Sequence, residues 1–368
     1  MVLPVIKPKR ADILKCVARY ADITPADGGL PDQEVDGYYR TFRNALGFSQ
    51  PRVDGGTYSP IGDQAKPKIN HLTAGFNIGY VEANPGQGVM MHTHDTNETF
   101  VVVAGTWKFE WEGDKGNDHV ILHEWDIVSF VPGPQRRFEC VAAPKGGTRG
   151  TIMGIIGGDT PGAEFSPESV RELRARGVTV NQDPIPRLKV TRPSRGEILE
   201  CVARFEELYA TDTGLPDQAM DGCYRIFRNA MGFAPPAGSD NPSPVGSAAK
   251  PRIGHLKPGF GAAYVSAKPG QGTLMHNHDT NETFVVMDGT WEFSWEGDKG
   301  DDSIVLKPRD IISFPVGIQR CFKCVKAPKS KEMGTILGVI GGNSPYAEYS
   351  NRAIAEMAKH GIIVKEAA

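Results

Sequence analysis

Two halves of this sequence are near copies of each other, and that repetition constrains the fold more than any other feature. Ile13-Leu-Lys-Cys-Val-Ala-Arg-Tyr20 recurs as Ile198-Leu-Glu-Cys-Val-Ala-Arg-Phe205, and Gly29-Leu-Pro-Asp-Gln33 recurs as Gly214-Leu-Pro-Asp-Gln218. Further on, His92-Thr-His-Asp-Thr-Asn-Glu98 returns as His276-Asn-His-Asp-Thr-Asn-Glu282. The register between copies slips by one residue, within the Pro/Gly/Ser-rich stretches 49–66 and 234–250. At ~150 residues per domain, 368 residues make two domains with ample core in each. Two prolines in Asn181-Gln-Asp-Pro-Ile-Pro-Arg187 suit an extended linker, so the domains are expected to be 1–183 and 184–368.

Each copy reads as a short helical arm, a β-rich middle and a closing helix. The closing helices are predicted over Pro167–Arg176 and Asn351–His360, each followed by a glycine that serves as a left-handed C-cap. In the middle, Thr99–Val103 and Thr106–Trp111 cluster or alternate β-formers, and Glu112–Asp118 is a Gly/Asp/Asn turn feeding Val120-Ile-Leu122. Many short strands separated by turns point to a sandwich or barrel rather than a βαβ sheet.

Forty-one Lys and Arg against 44 Asp and Glu leave a formal net charge of −3, with no long run of one sign. That balance excludes a nucleic-acid or anionic-membrane footprint and favours a small-molecule substrate; the oligomeric state, a homo-oligomer included, stays open. The N-terminal apolar stretch breaks at Lys7–Arg10, which offers no signal or membrane-spanning segment, so a cytoplasmic location is expected. Six cysteines are too few for a disulfide scaffold. Cys321 and Cys324 form a C-x-x-C, but on a strand that spacing puts the sulfurs on opposite faces, and packed or exposed thiols are the expectation.

The chemistry-bearing pattern is His92-x-His94-x-x-x-Glu98, repeated as His276, His278 and Glu282. Histidines two apart on a strand share a face, and Glu98 keeps the even parity, so all three are expected to converge. Two imidazoles and one carboxylate suit a divalent first-row ion: Fe(II) is favoured, and Mn, Ni or Zn also fit.

With Gly86 and Gly105 placed around the triad, and Gly270 and Gly289 around its copy, the pattern resembles the first motif of the cupin superfamily, and the duplicated chain resembles a bicupin. The resemblance implies a mostly β chain of two tandem jelly-roll β-barrels with short flanking helices, each with a metal cavity. In the family's second motif a further histidine follows Pro-x-Gly-x-x. Here Arg136 and Arg320 stand in its place, and Cys140 and Cys324 stand where a following Asn is usual. A guanidinium ~5 Å from a divalent cation at an effective dielectric of ~20 is repelled by roughly 7 kcal/mol, so something anionic must intervene. Either Arg136 and Arg320 act catalytically by clamping a substrate carboxylate, or they pair with Glu98 and Glu282 and replace the metal.

His71 and His255 could reach in as replacement ligands, although hydrogen-bonded structural roles are commoner for such residues. Tyr39-Arg-Thr-Phe-Arg-Asn44 and Tyr224-Arg-Ile-Phe-Arg-Asn229 put arginines on one face if helical, where they could grip an acidic substrate. Trp107, Trp111, Trp291 and Trp295 either line a pocket or pack the core. His119, His123 and His360 lack counterparts and read as surface residues. The resulting expectation is a metal-dependent dioxygenase, an oxidoreductase acting on a small acidic or aromatic molecule. The alternatives are a redox-neutral decarboxylase, isomerase or lyase, or a non-enzymatic binding protein with Arg–Glu pairs in place of metal.

Overall fold

Thr106–Gly113 alternates half-buried and buried positions along its whole length, so Trp107, Phe109 and Trp111 all point inward. Thr290–Gly297 does the same with Trp291, Phe293 and Trp295. This period of two is what a half-buried strand requires, and the tryptophans are core, at 0% exposure. The computed structural model describes residues 3–47, 58–233 and 243–364. Parts of the two stretches in which the copies slip register lie outside the described residues.

The chain divides into two compact units, Ile23–Glu207 and Met1–Asp22 with Leu208–Ala368. In the first, a seven-stranded sheet runs in the spatial order 202–203, 127–130, 98–104, 150–157, 76–83, 41–46 and 25–26. A five-stranded sheet runs 163–165, 92–94, 136–142, 106–113 and 116–122. The second unit repeats both sheets, from 17–18 and 311–314 through to 210–211, and from 300–306 through to 347–349. Among the described residues the strands pair with one another antiparallel throughout. Each unit is therefore a jelly roll of two facing sheets. The expected barrel is not closed: among the described residues no strand pairing joins the seven-stranded sheet to the five-stranded one, and side chains alone fill the space between them.

Both arms begin with a helix, Arg10–Lys15 and Arg195–Glu200, and both continue into a two-residue strand. Val17–Ala18 pairs with Ile311 and Ile312, and Val202–Ala203 pairs with Ile127 and Val128, so each arm covers the edge of a seven-stranded sheet. Arm residues also enter the cores: Ile13 and Val17 pack in one, Ile198 and Val202 in the other. An aspartate clamps each arm, Asp310 accepting from Tyr20 N at 2.9 Å and pairing with Arg19, Asp126 accepting from Phe205 N at 2.9 Å and pairing with Arg204.

The closing helices Pro167–Ala175 and Asn351–Lys359 start at Ser166 and Ser350, whose hydroxyls accept from the third residue's N–H. Gly177 (φ 80°) and Gly361 (φ 74°) supply the expected left-handed stops. The arginine-bearing segments are not helical: Thr41–Leu46 and Ile226–Met231 are strands, and Arg40 and Arg225 lie just before them. β-branched and aromatic neighbours and the pairing with Phe76–Ala83 and Phe260–Ala267 override a helical reading there. Among the described residues no helix is long and apolar enough to cross a membrane.

Candidate metal centres

His92 and His94 occupy the same short strand of the five-stranded sheet, while Glu98 opens a strand of the seven-stranded sheet. The residues between them, Asp95–Asn97, carry the chain from one sheet to the other. The triad converges because the two sheets face each other, a cause different from the parity argument made along a single strand. His92 Nε2 lies 3.9 Å from Glu98 Oε2, and His94 Nε2 lies 3.4 Å from Glu98 Oε1. In the other unit, His276 Nε2 is 3.7 Å from Glu282 Oε2 and His278 Nε2 is 3.4 Å from Glu282 Oε1. Within each triad the three donor atoms all lie within 4.8 Å of one another, and all but the half-buried His276 are buried by residue exposure.

Ligand identity and tautomer both fit a divalent ion. Donors bound at ~2.0–2.2 Å around one centre lie roughly 3–4 Å apart, which is the spacing seen. The Nδ1 of His92 hydrogen-bonds the carbonyl of Met90 at 2.9 Å, that of His276 the carbonyl of Leu274 at 2.9 Å, and that of His278 the carbonyl of Tyr346 at 3.0 Å. Since a carbonyl accepts, those Nδ1 atoms carry the proton and the Nε2 lone pairs face inward, as metal ligation requires. Burial, reinforced by the charge of Arg136, pushes His92 down to about 3 and His94 well below the usual imidazole value. His278 is lowered chiefly by burial as well. These rings stay neutral, the form that binds metal.

Arg136 sits directly opposite His92 in the sheet register, as Arg320 sits opposite His276. Arg136 donates from Nε and Nη2 to the single oxygen Glu98 Oε2, and from Nη1 to the Thr93 hydroxyl and the Pro134 carbonyl. Arg320 donates from Nε to Glu282 Oε2 at 2.8 Å, and from Nη1 to Asn277 Oδ1 and the Ile318 carbonyl. The anion that the charge argument demanded beside each arginine is thus the glutamate itself. Burial lowers both arginines from their ordinary value, but that value lies so far above neutrality that both stay charged. Burial raises the Glu98 carboxyl against the pull of Arg136, whereas the Glu282 carboxyl is held well below the usual range despite equal burial, with the Arg320 guanidinium among the groups that pull it down.

Beside each triad lies a small cavity, about 40 Å³ in one unit and about 50 Å³ in the other. The first is walled by Phe42, Phe100, Phe138 and Ile156, with Arg40, His92 and Glu98 among its polar groups. The second repeats this with Phe227, Phe284, Phe322 and Ile340 around Arg225, His276 and Glu282. Arg136 and Arg320 are not among the lining residues.

The remaining sequence candidates lie elsewhere. His71 and His255 are exposed and outside both triads; His119, His123 and His360 are exposed as well. Cys324 is buried and Cys321 half-buried on alternate faces of the strand Arg320–Lys326, and both thiols are pushed up chiefly by burial, Cys321 to about 11. The polar pair missed from sequence is Asp32–Arg40, with its copy Asp217–Arg225, fully or almost fully buried. Its signal was present: Leu-Pro-Asp-Gln and Tyr-Arg recur in both copies at matched distance.

No family model and no curated protein matches the sequence. Solved structures do match in fold. An arginine-to-alanine variant of the Bacillus subtilis oxalate decarboxylase superposes with a TM-score of 0.55 at 12% identity, over 95% of this chain and 84% of that one. The Lactobacillus farciminis oxalate decarboxylase in a formate complex gives a TM-score of 0.53 at 11% identity, over 95% and 94%. The whole chain therefore has the bicupin fold, with a His-His-Glu cluster in each half.

Proposed function

We propose that this chain is a metal-dependent bicupin enzyme acting without net oxidation on a small anionic substrate, most specifically as a decarboxylase. The observation that carries the reading is the pair of triads with inward-facing Nε2 atoms, each opening on an otherwise apolar cavity. The solved neighbours are decarboxylases, which favours this redox-neutral alternative over the dioxygenase expected from the motif.

His92, His94 and Glu98 would hold the ion in one unit, and His276, His278 and Glu282 in the other. A divalent ion bound there supplies Lewis acidity toward a substrate oxygen. Arg136 and Arg320 pair with the glutamates and fix their planes, with Oε2 tied back and Oε1 turned to a histidine. Phenylalanine walls disfavour a charged carboxylate relative to neutral carbon dioxide, which lowers the cost of breaking the bond that joins the carboxylate to the rest of the substrate. The bonding pair left on the remaining fragment then takes up a proton from solvent, so that a C–H bond replaces the C–C bond broken.

The test is elemental analysis of freshly purified protein, followed by carbon dioxide release from small dicarboxylates and 2-oxo acids with oxygen uptake recorded in parallel. About one ion per unit, and release without stoichiometric oxygen uptake, is expected. Oxygen consumed in step with product restores the oxygenase reading. The direct Arg136–Glu98 and Arg320–Glu282 pairs favour one other reading, a metal-free binding protein, and purification without bound metal together with no turnover would establish it.

A further inference from the structure

Each cavity wall contains an arginine with one edge unspent. Arg40 forks end-on onto Asp32, Nη1 to Oδ2 at 3.0 Å and Nη2 to Oδ1 at 2.9 Å, and Nη1 also donates to the carbonyls of Tyr38 and Gly88. Its Nε is buried and has no partner among the described residues. Arg225 is held similarly but without the fork: Nη2 alone donates to Asp217, to Oδ1 at 2.8 Å, Nη1 donates to the carbonyls of Cys223 and Gly272, and the buried Nε has no partner among the described residues. Both guanidiniums are at most 2% exposed, and both line the cavity that also holds the first histidine and the glutamate of a triad.

A buried N–H without an acceptor costs free energy, and native interiors seldom tolerate one. Of the arginine Nε atoms buried without a partner among the described residues, those of Arg40 and Arg225 stand in equivalent places of the two units, and both residues line a cavity with room for a few water molecules or a very small ligand. The Nε–H and the outer Nη2–H of a guanidinium form a two-donor edge that matches the two oxygens of a carboxylate. Asp32 holds the Arg40 guanidinium end-on, and Asp217 with the Cys223 and Gly272 carbonyls holds that of Arg225, so each Nε–H has a pre-set direction. Arg136 and Arg320, by contrast, are directed at the glutamate ligands and do not line the cavities.

We infer that Arg40 and Arg225 are the anion-recognition residues of the two cavities, each receiving one carboxylate of a small substrate on its Nε edge. This rests on the proposed function, whose substrate it specifies. Because the partner aspartate already balances the charge, recognition depends on hydrogen-bond geometry: a planar carboxylate is accepted, and its neutral amide or a halide is not.

The experiment is calorimetric titration of the full chain with oxalate and with oxamide after divalent ions have been removed by a chelator, so that no ion contributes to binding. The variant Arg40→Lys/Arg225→Lys keeps the charge opposite each aspartate but lacks the Nε edge. The expected result is oxalate binding by the wild-type chain, weakened about tenfold or more in the variant, and no oxamide binding by either. Equal oxalate affinity in wild type and variant, or no oxalate binding by wild type, overturns the inference. If the lysine variant does not fold, Arg40→Gln/Asp32→Asn with Arg225→Gln/Asp217→Asn removes each ion pair as a unit and is read in the same way. Failure of the functional reading shows separately, as a purified chain without metal or a chain without turnover.

Discussion

Arg136 gives two hydrogen bonds, at 3.0 and 2.9 Å, to one oxygen of Glu98, and leaves the other oxygen 3.4 Å from His94 Nε2. A single carboxylate thus has the fixed cation and His92 nearest one oxygen and His94 nearest the other. Removing the cation strands a buried anion. Arg136→Met is expected to lower the unfolding free energy of its unit by about 3–5 kcal/mol in urea titration, whereas Arg136→Met/Glu98→Leu, which removes both charges, should recover much of that loss. Additive effects of the two substitutions would show that the pair is not coupled.

The second unit holds a contact the first lacks. Tyr349 donates its hydroxyl to Asp217 Oδ1 at 2.7 Å, and burial raises that phenol above its usual value, so the proton stays on the donor. Phe165 takes the equivalent place in the other unit. Tyr349→Phe is expected to destabilise its own unit by about 1.5–3 kcal/mol, the usual worth of a hydrogen bond to a charged group. Scanning calorimetry should show one transition lowered and the other unmoved.

Asp217 supplies an acid-side prediction. Burial pushes its carboxyl up, but Arg225, the Tyr349 hydroxyl and the Leu274 N–H outweigh burial and hold it below the usual range. A depressed carboxyl contributes stability that is fully present above its unfolded value of about 3.9 and is lost as pH falls through the lower folded value. The stability gap between wild type and Asp217→Asn should therefore be constant from neutrality down to about pH 5, and should shrink only in more acidic solution. A gap that closes near pH 6 would contradict it.

The arms give a test of the units. Deleting residues 3–20 removes Ile13 and Val17 from one core, uncovers the edge strand Ile311–Phe314 and leaves Asp310 without Arg19 and the Tyr20 N–H. The unit containing Leu208–Ala368 should lose stability by several kcal/mol, since two buried aliphatic side chains are worth about 1.5–3 kcal/mol each. The Ile23–Glu207 transition should remain where it was. The readout is again calorimetry, with the two transitions assigned by the Tyr349→Phe variant.

Much of this was legible in the residues. The duplication, the strands around Trp107 and Trp291, the closing helices with Gly177 and Gly361, and the spacing of each triad all rest on local periodicity, which a linear sequence displays. What local periodicity does not hold is which sheet a residue joins. Glu98 was placed with the histidines by parity along one strand, yet it reaches them from the opposite sheet after the turn at Asp95–Asn97. Arg40 was read on a helix face, because nothing near it in sequence announces the pairing of Thr41–Leu46 with Phe76–Ala83. The Nε edge of Arg40 is further from view still, since it depends on Asp32, Tyr38 and Gly88 having claimed the other donors.

The clamp of Arg19 and Tyr20 on Asp310 links residues some 290 positions apart, while the matching clamp of Arg204 and Phe205 on Asp126 spans fewer than 80. During synthesis the Ile23–Glu207 unit has all its strands once residue 207 has left the ribosome. Residues 3–20, made before any of them, have no sheet edge to join until Ile311 and Ile312 appear more than half a chain later. A segment translated ahead of both jelly rolls is thus among the last to be buried, and one jelly roll is complete while its sister still waits for the strands that its helical arm will cover.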